Sequence, residues 1–527
     1  MSGSITPAEV RLALITRREI ALLDLREEHA FAQGHPLFAA SLPLSRLELE
    51  VYDRIPRRDV LVVVYDAGEG LAAIGASRLE ALGYSQVRRL QGGLEGWRAA
   101  GFELFLDVNS YSKAFGELVE ARARTPSLLP EELKARLESR EDLVVLDARR
   151  FEEYRTMSIP SGVSVPGAEL VLRAREIAPD PDTTIVVNCA GRTRSLIGAQ
   201  SLINAGVPNR VFALRNGTIG WTLAGQGLEQ GADRRFPEVS GTRAVQAGAA
   251  ARAVAYRAGV KRIGPVELER LAGDGTRTLY RFDVRTPEEF AAGHAPGFLS
   301  APGGQLVQET DVFAPVRGAR IVVFDDLGAR ADMTASWLAQ MGWDVLALDG
   351  LQPADLTATG PSEPNRPPAP DAVVIGPQDL ATCLAKTPVT LIDLAPSPAY
   401  RRGHIPGAAF AIRSRLDDAL AALTAAERGR LVFTSPDGAL ARLAAPEIEA
   451  LTGRAPTVLA GGNDAWRAAG LPVEAGEGRA LSPFEDVYRR PYEGTDNAAA
   501  AMQAYLDWEF GLVAQLERDS THGFFVI

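Results

Sequence analysis

One unit occurs four times along this chain, and that repetition constrains the fold more than any other feature. An apolar run ends in aspartate in every copy, and a second apolar run follows. The two ends lie 42 residues apart in all four copies, at Asp24 and Asp66, Asp147 and Cys189, Asp283 and Asp325, and Asp393 and Ser435. Three copies then close on a tryptophan, Trp97, Trp221 or Trp466. A fixed period indicates copies of one supersecondary unit.

Each copy alternates short apolar runs with helix-like segments, such as residues 72–82 and 196–205. This alternation predicts α/β domains, each a parallel sheet flanked by helices. We expect four tandem domains at 1–104, 126–232, 258–358 and 371–475. Linkers are expected where Pro, Ala and Gly accumulate, at about 104–126, 232–258 and 360–370. Residues 476–527 stand outside the repeat, and apolar residues at helical spacing between Met502 and Leu516 predict a C-terminal helical extension.

Composition narrows the classes of partner. The net charge of −11 disfavours nucleic acid and anionic lipid surfaces. No apolar run is long enough to span a bilayer, and the first residues lack a basic stretch followed by an apolar core. Two cysteines fit a reducing compartment, so we expect a cytoplasmic protein. The five histidines show no ligand spacing, so no metal site is expected.

Only the second copy places a thiol where its second apolar run ends. Cys189 precedes a predicted helix, and the loop between them contains Ala190, Gly191, Arg192, Thr193, Arg194 and Ser195. Backbone amides, a helix amino terminus and two guanidinium groups all favour thiolate, so we expect the pKa of Cys189 to fall below its free value. Gly191 would let the backbone curl around a small anion.

Several separate motifs resemble rhodanese sulfurtransferases: the loop that starts at Cys189, the Asp-x-Arg of Asp147 and Arg149, the Gly-His-Ile-Pro-Gly-Ala string at 403–408, and Gly-Gly-x-x-x-Trp endings. The resemblance extends to about residue 475. It implies that Cys189 takes a sulfane sulfur from thiosulfate or a related anionic donor and becomes a persulfide. Cyanide or a thiol acceptor, such as glutathione, thioredoxin or a protein thiol, would receive the sulfur without any cofactor.

In this interpretation Cys189 is the nucleophile, and Arg192 and Arg194 offset its repulsion of the donor anion. The amides from Ala190 to Ser195 would form the cradle, and Arg149 is a further candidate for donor binding. The other three copies carry Asp66, Asp325 and Ser435 in place of the thiol. An aspartate there would occupy the anion site from within, so we expect three catalytically inactive domains.

Three alternatives remain open. The donor could be 3-mercaptopyruvate or glutathione persulfide, since residues 157–162 replace the Gly-His string of the other copies near the predicted mouth. The protein could be a cysteine phosphatase or arsenate reductase, although the arginine that a phosphatase loop needs at position 195 stands one residue earlier, at Arg194. It could also be a non-catalytic scaffold whose repeats bind partner proteins.

Overall fold

The computed structural model describes residues 3–527 and contains four sheets, one for each copy of the repeat. We call the copies units one to four. No helix in this described range combines the length and apolar character that a membrane crossing requires. The α/β fold class predicted from the repeat is confirmed.

The strands and helices of units one and two occur in the same order. Unit one contains strands β1 (Gly3–Ile5), β2 (Ile20–Asp24), β3 (Ala40–Ser41), β4 (Leu61–Tyr65) and β5 (Val87–Leu90), and helices α1 (Pro7–Ile15), α2 (Glu28–Ala32), α3 (Leu47–Arg54), α4 (Leu71–Ala81) and α5 (Gly93–Ala99). Helix α6 (Ser110–Ala123) leads to unit two. Unit two contains strands β6 (Ser127–Leu128), β7 (Leu143–Asp147), β8 (Val163–Ser164), β9 (Thr184–Asn188) and β10 (Val211–Leu214), and helices α7 (Pro130–Glu138), α8 (Phe151–Thr156), α9 (Leu170–Ile177), α10 (Thr193–Asn204) and α11 (Gly217–Leu223).

Units three and four follow the same plan with additions, except that unit three has no α-helix after its last strand. Helix α12 (Gly241–Arg257) leads to unit three, which contains strands β11 (Lys261–Ile263), β12 (Leu279–Asp283), β13 (Leu299–Ser300), β14 (Val316–Arg317), β15 (Arg320–Phe324) and β16 (Asp344–Leu348), and helices α13 (Pro265–Asp274), α14 (Pro287–Ala292), α15 (Gly303–Gln308), α16 (Thr310–Phe313) and α17 (Ala329–Gln340). Unit four contains strands β17 (Val373–Ile375), β18 (Thr390–Asp393), β19 (Ala409–Phe410), β20 (Leu431–Thr434), β21 (Thr457–Leu459) and β22 (Arg479–Ala480), and helices α18 (Pro377–Lys386), α19 (Ser397–Arg402), α20 (Leu416–Ala421), α21 (Ala439–Leu443), α22 (Ala445–Thr452) and α23 (Gly462–Ala468). Single 3₁₀ turns lie at Gly167–Glu169, Pro353–Asp355, Arg413–Arg415 and Glu427–Gly429.

All four sheets share one strand order. It is β1-β5-β4-β2 in unit one, β6-β10-β9-β7-β8 in unit two, β11-β16-β15-β12-β13 in unit three and β17-β21-β20-β18-β19-β22 in unit four. The two central strands of each sheet are apolar and mostly buried, because helices cover both faces of a parallel sheet. A proline begins the helix after the first strand of each unit, where its fixed φ and missing N–H fit the first helical turn.

One pairing joins two units. Strand β14 of unit three runs antiparallel to β2 of unit one, with Val316 opposite Ala21 and Arg317 opposite Ile20. It extends the sheet of unit one by a strand that comes from nearly 300 residues further along the chain. Units one and three therefore form a single packed body.

Helices occupy two of the three predicted linkers. Within 104–126, α6 is buried along most of its length and packs against α10 of unit two. Within 232–258, α12 packs against α17 of unit three. Residues 361–372 contain no helix or strand, as expected for the third linker.

The C-terminal extension consists of two helices, α24 (Ala499–Phe510) and α25 (Leu512–Asp519), which confirms the predicted helical character. Both pack against α6, and α24 also contacts α11 of unit two. The buried residues of its two helices are Met502, Tyr505, Leu506, Glu509, Leu512, Leu516 and Asp519. The extension therefore lies on the unit that carries Cys189.

Candidate active site at Cys189

The thiol of Cys189 lies between the end of β9 and the first turn of α10. Its Sγ donates to Ser195 Oγ at 3.4 Å, while that hydroxyl donates to the carbonyl of Arg192 at 2.8 Å. The amide of Ser195 also faces the sulfur and favours its ionised form. These contacts form the thiol end of the expected cradle.

The amino terminus of α11 holds the loop in place. Thr218 N donates to the carbonyl of Cys189 at 2.9 Å, and Ile219 N donates to that of Ala190 at 3.0 Å. Gly217 makes this approach possible, because a Cβ there would lie 2.3 Å from the carbonyl oxygen of Cys189, and its φ is +54°. The glycine four residues before each closing tryptophan, Gly93, Gly217 or Gly462, lets a helix approach the loop in the same way.

The expected pKa of Cys189 is wrong in direction. The side chain is only 1% exposed, and this burial raises the pKa of the thiol above its usual value. The charge of Arg194 and the hydrogen bonds of Ser195 oppose that rise without overcoming it. The sequence shows the donors around the sulfur but not the segment that excludes water from it.

Arg194 is the predicted arginine that acts on the thiol. It donates from both terminal nitrogens to the carboxylate of Glu153, at 2.8 and 2.9 Å. Its charge lowers the pKa of Cys189, and despite burial it also holds the pKa of Glu153 far below the usual range. The arginine is thus a paired cation beside the sulfur.

Arg192 and Arg149 bind protein groups and are not free for a donor in this state. Arg192 donates to Glu117 at 2.7 and 2.9 Å, to Glu120, and to Asn216 at 3.0 Å. Arg149 forms a buried pair with Asp147 at 2.8 and 2.9 Å and donates to the carbonyl of Met157 at 2.6 Å. Arg26 with Asp24 and Arg285 with Asp283 form the same pair in units one and three, which indicates a structural role for the Asp-x-Arg motif.

Helix α24 covers the loop. Tyr492, Met502, Tyr505 and Leu506 pack against Ala190 and Ile219 in one apolar cluster. A Cβ on Gly191 would lie 3.1 Å from a ring carbon of Tyr505 and 3.2 Å from Oε2 of Glu509. The backbone of Gly191 does not have positive φ, so its need for glycine comes from the narrow space beneath the extension. A side chain there would press against the extension.

Sequence reasoning missed the residues that surround the loop from other elements. Glu117 and Lys113 come from α6, which was expected to be a linker, and Glu509 comes from α24. One signal was present, because Glu509 falls within an apolar stripe at helical spacing and glutamate is rarely buried without a reason.

In the other units, the residue at the thiol position binds the loop amides. Asp66 accepts from Gly68 N at 3.1 Å and from Ala72 N at 2.9 Å. Asp325 accepts from Leu327 N and Ala331 N at 3.3 and 3.2 Å. Ser435 accepts from Ala441 N at 3.3 Å. The loops therefore keep their shape around an internal acceptor.

The Gly-His string has a packing role in the units that retain it. His35, His294 and His404 stack on Phe31, Phe290 and Tyr400 at centroid distances of 3.7 to 3.8 Å. In unit two Ser158 takes this place and pairs in the same way with the backbone of Glu229. Unit two therefore keeps the backbone pairing of this string but lacks the stacked histidine.

A cavity of about 160 Å³ lies between units two and three. Four arginines (Arg150, Arg194, Arg235, Arg285) and four glutamates (Glu152, Glu169, Glu288, Glu309) are in its wall, together with Phe151 and Phe236. Cys189 does not line it. Arg194 thus stands between this cavity and the thiol.

A family model of the rhodanese-like domain matches residues 6–100, 129–224, 265–350 and 376–469, which is more than half of the chain. The chain belongs to the rhodanese family. Each match spans one unit, and each includes the loop position occupied by Asp66, Cys189, Asp325 or Ser435.

The whole chain is similar to one solved structure, a thiosulfate sulfurtransferase from Pseudomonas aeruginosa. The two are 60% identical, the match covers 100% of both chains, and the TM-score is 0.98. The chain is therefore homologous along all 527 residues to a rhodanese-type enzyme, as the motifs predicted.

Two curated relatives match over single segments. An HTH-type transcriptional regulator of Mycobacterium tuberculosis is 38% identical over 91 residues, which is 17% of this chain and 39% of the relative. YrkF of Bacillus subtilis, named for an inferred role as a sulfur carrier, is 30% identical over 103 residues, which is 20% of this chain and 54% of the relative. The chain thus spans about half or less of these curated relatives.

Proposed function

We propose that this chain is a sulfurtransferase that moves a sulfane sulfur through a persulfide on Cys189. The donor is thiosulfate or a related sulfane compound, and the acceptor is cyanide or a thiol. One observation carries this proposal: among the four equivalent loop positions, only that of unit two holds a thiol, beside the amide of Ser195 and the charge of Arg194. The name of the Pseudomonas aeruginosa homologue supports thiosulfate as the donor.

The transfer proceeds in two displacements at sulfur. Cys189 loses its proton to water, and the thiolate attacks the outer sulfur of thiosulfate. The S–S bond of the donor breaks, and sulfite leaves with its electron pair. The acceptor then attacks the outer sulfur of the persulfide, and Cys189 regains its thiolate. Arg194 and the amide of Ser195 stabilise the negative charge that stays on sulfur in both steps.

The three units without a thiol serve a structural role in this proposal. Asp66 and Asp325 hold their own loop amides with carboxylates, which cannot carry sulfane sulfur. Unit three also closes one side of the cavity beside Arg194. A cytoplasmic location fits the two cysteines, Cys189 and Cys383, which are both free thiols.

Mass spectrometry after exposure to thiosulfate tests the proposal. We expect one added sulfur on the peptide that contains Cys189, and its removal by cyanide with formation of thiocyanate. The Cys189→Ser variant should lose sulfur transfer, whereas Cys383→Ser should keep nearly all of it, because Cys383 lies on α18 in unit four. Full transfer by Cys189→Ser, or hydrolysis of p-nitrophenyl phosphate in place of sulfur transfer, would contradict it.

A further inference from the structure

The carboxyl group of Glu509 is buried at the mouth of the Cys189 loop with one oxygen unpaired. The side chain is 0% exposed. Tyr505 donates to Oε1 at 2.8 Å, but Oε2 has no hydrogen-bond partner within the described chain. That oxygen faces Gly191, at 3.2 Å from the place where a Cβ would stand. An oxygen without a partner costs more on a buried carboxylate than on a neutral carboxyl group, because the carboxylate also carries a buried charge.

The charges around Glu509 also favour its neutral form. Two cations face it, Lys113 from α6 and Arg192 from the loop. Each already has acidic partners: Lys113 binds Asp107 at 3.0 Å, and Arg192 binds both Glu117 and Glu120. Three carboxylates thus oppose two cations before Glu509 is counted, and an ionised Glu509 would be the fourth.

The remaining groups near Glu509 add little positive charge. Tyr505 and Tyr492 are phenols whose pKa burial raises well above the usual value, and the thiol of Cys189 is neutral in its buried state. Arg490, behind Lys113, is paired with Glu493 and Glu28. Burial first, and the charge of Glu117 second, raise the pKa of Glu509 to about 8.

Lys113 of α6 contacts three aromatic rings of the C-terminal residues. Its Nζ lies 4.9 to 5.6 Å from the ring centroids of Tyr492, Tyr505 and Trp508, all of which belong to the C-terminal residues. Three aromatic rings therefore surround a cation of α6. The extension therefore contacts a specific charged group of α6 and does not merely cover an apolar surface.

We propose that Glu509 is a positioning residue for Cys189: its neutral carboxyl group lets α24 close over the loop, and its ionised form favours the open state in which the thiol meets its substrates. The inference deepens the proposed function, because closure matters to sulfur transfer only if Cys189 carries the sulfur. It rests on the buried, unpaired oxygen and on the excess of carboxylates around it.

Proton linkage gives the sign of the pH dependence. In the open state Glu509 titrates near the value of a free carboxyl group, about 4.5, and in the closed state near 8. Between these values the closed state binds one more proton, so the ratio of open to closed molecules rises by up to about tenfold per pH unit. Above about pH 8 both states are ionised and the ratio levels.

Hydrogen exchange of α24, read by mass spectrometry and expressed as protection factors, tests this without any sulfur donor. Between about pH 5.5 and 7.5 we expect the protection of residues 499–510 to fall at least tenfold in the wild type. The Glu509→Gln variant keeps the shape but cannot ionise, so its protection should stay constant within about threefold. Glu517→Gln, the same change at an exposed site on α25, should behave as the wild type.

Equal pH dependence of α24 protection in the wild type and Glu509→Gln would overturn the proposal. The proposal would also be overturned if the protection of α24 in the wild type did not change with pH relative to that of α4 in unit one. This second comparison needs no variant, so it remains valid if Glu509→Gln fails to fold. Since exchange is measured without sulfur transfer, a failed persulfide experiment and a failed exchange experiment refute different statements.

Discussion

Leu506→Ala should expose Cys189 to solvent while every residue of the loop stays unchanged. Leu506 is a buried member of the cluster that seats α24 on Ala190 and Ile219. Truncation of a buried leucine to alanine costs about 2 to 5 kcal/mol, through lost burial and the cavity left behind. If about 2 kcal/mol of this falls on docking of the extension, the open fraction rises about 30-fold, because 1.4 kcal/mol is a factor of ten.

Alkylation by iodoacetamide at neutral pH measures that fraction, since the closed thiol is out of contact with water. Peptide mass spectrometry separates Cys189 from Cys383, which lies on α18 and serves as an internal reference. The Cys189 rate should rise at least tenfold and the Cys383 rate should not change. Leu271→Ala, an equivalent truncation in the core of unit three, is the matched control. A Cys189 rate within threefold of the wild type, in a variant with lower thermal stability, would show that the extension is not the barrier.

Two further predictions concern individual charges. Glu153→Gln removes the carboxylate that neutralises Arg194, so the pKa of Cys189 should fall. The alkylation rate of Cys189 at neutral pH should then rise at least threefold relative to wild type. An unchanged or lower rate would contradict the assigned role of Arg194. Burial lowers the pKa of His35 to about 4, so the unfolded state binds more protons than the folded state below about pH 6.5. The free energy of unfolding of unit one should therefore fall by about 2 kcal/mol between pH 7.5 and 5. Hydrogen exchange of β2 and β4 should show that loss in the wild type and not in His35→Gln, and equal losses in both would refute it.

The sequence predicted the features that depend on local pattern. The 42-residue spacing, the buried apolar strands and the glycines beside the tryptophans led to four α/β units and to the loop at Cys189, because each reflects packing within one unit. The same reasoning identified the helical spacing of the extension. It also singled out Cys189 and Arg194, which the structure places side by side.

The missing features depend on contacts between distant segments. Glu117 reaches Arg192 from 75 residues earlier, and α24 covers Gly191 from more than 300 residues later. The first contact pairs an arginine that we expected to bind the donor. The second helps to bury the thiol, and this burial raises its pKa where a fall was expected. A local motif defines which donors surround a sulfur atom, but the solvent exposure of that atom is a property of the whole fold.

The pairing of β14 with β2 bears on the order in which the protein can be assembled during synthesis. Unit one is made first, yet part of the edge of β2 at Ile20 and Ala21 has no neighbour until Val316 and Arg317 leave the ribosome. An unpaired strand edge is a template for wrong partners, including the edges of the three similar sheets on the same chain. Incorrect strand pairing is therefore most favoured while only the amino-terminal half has been synthesised. Chains that end before residue 316 would keep this edge of β2 unpaired.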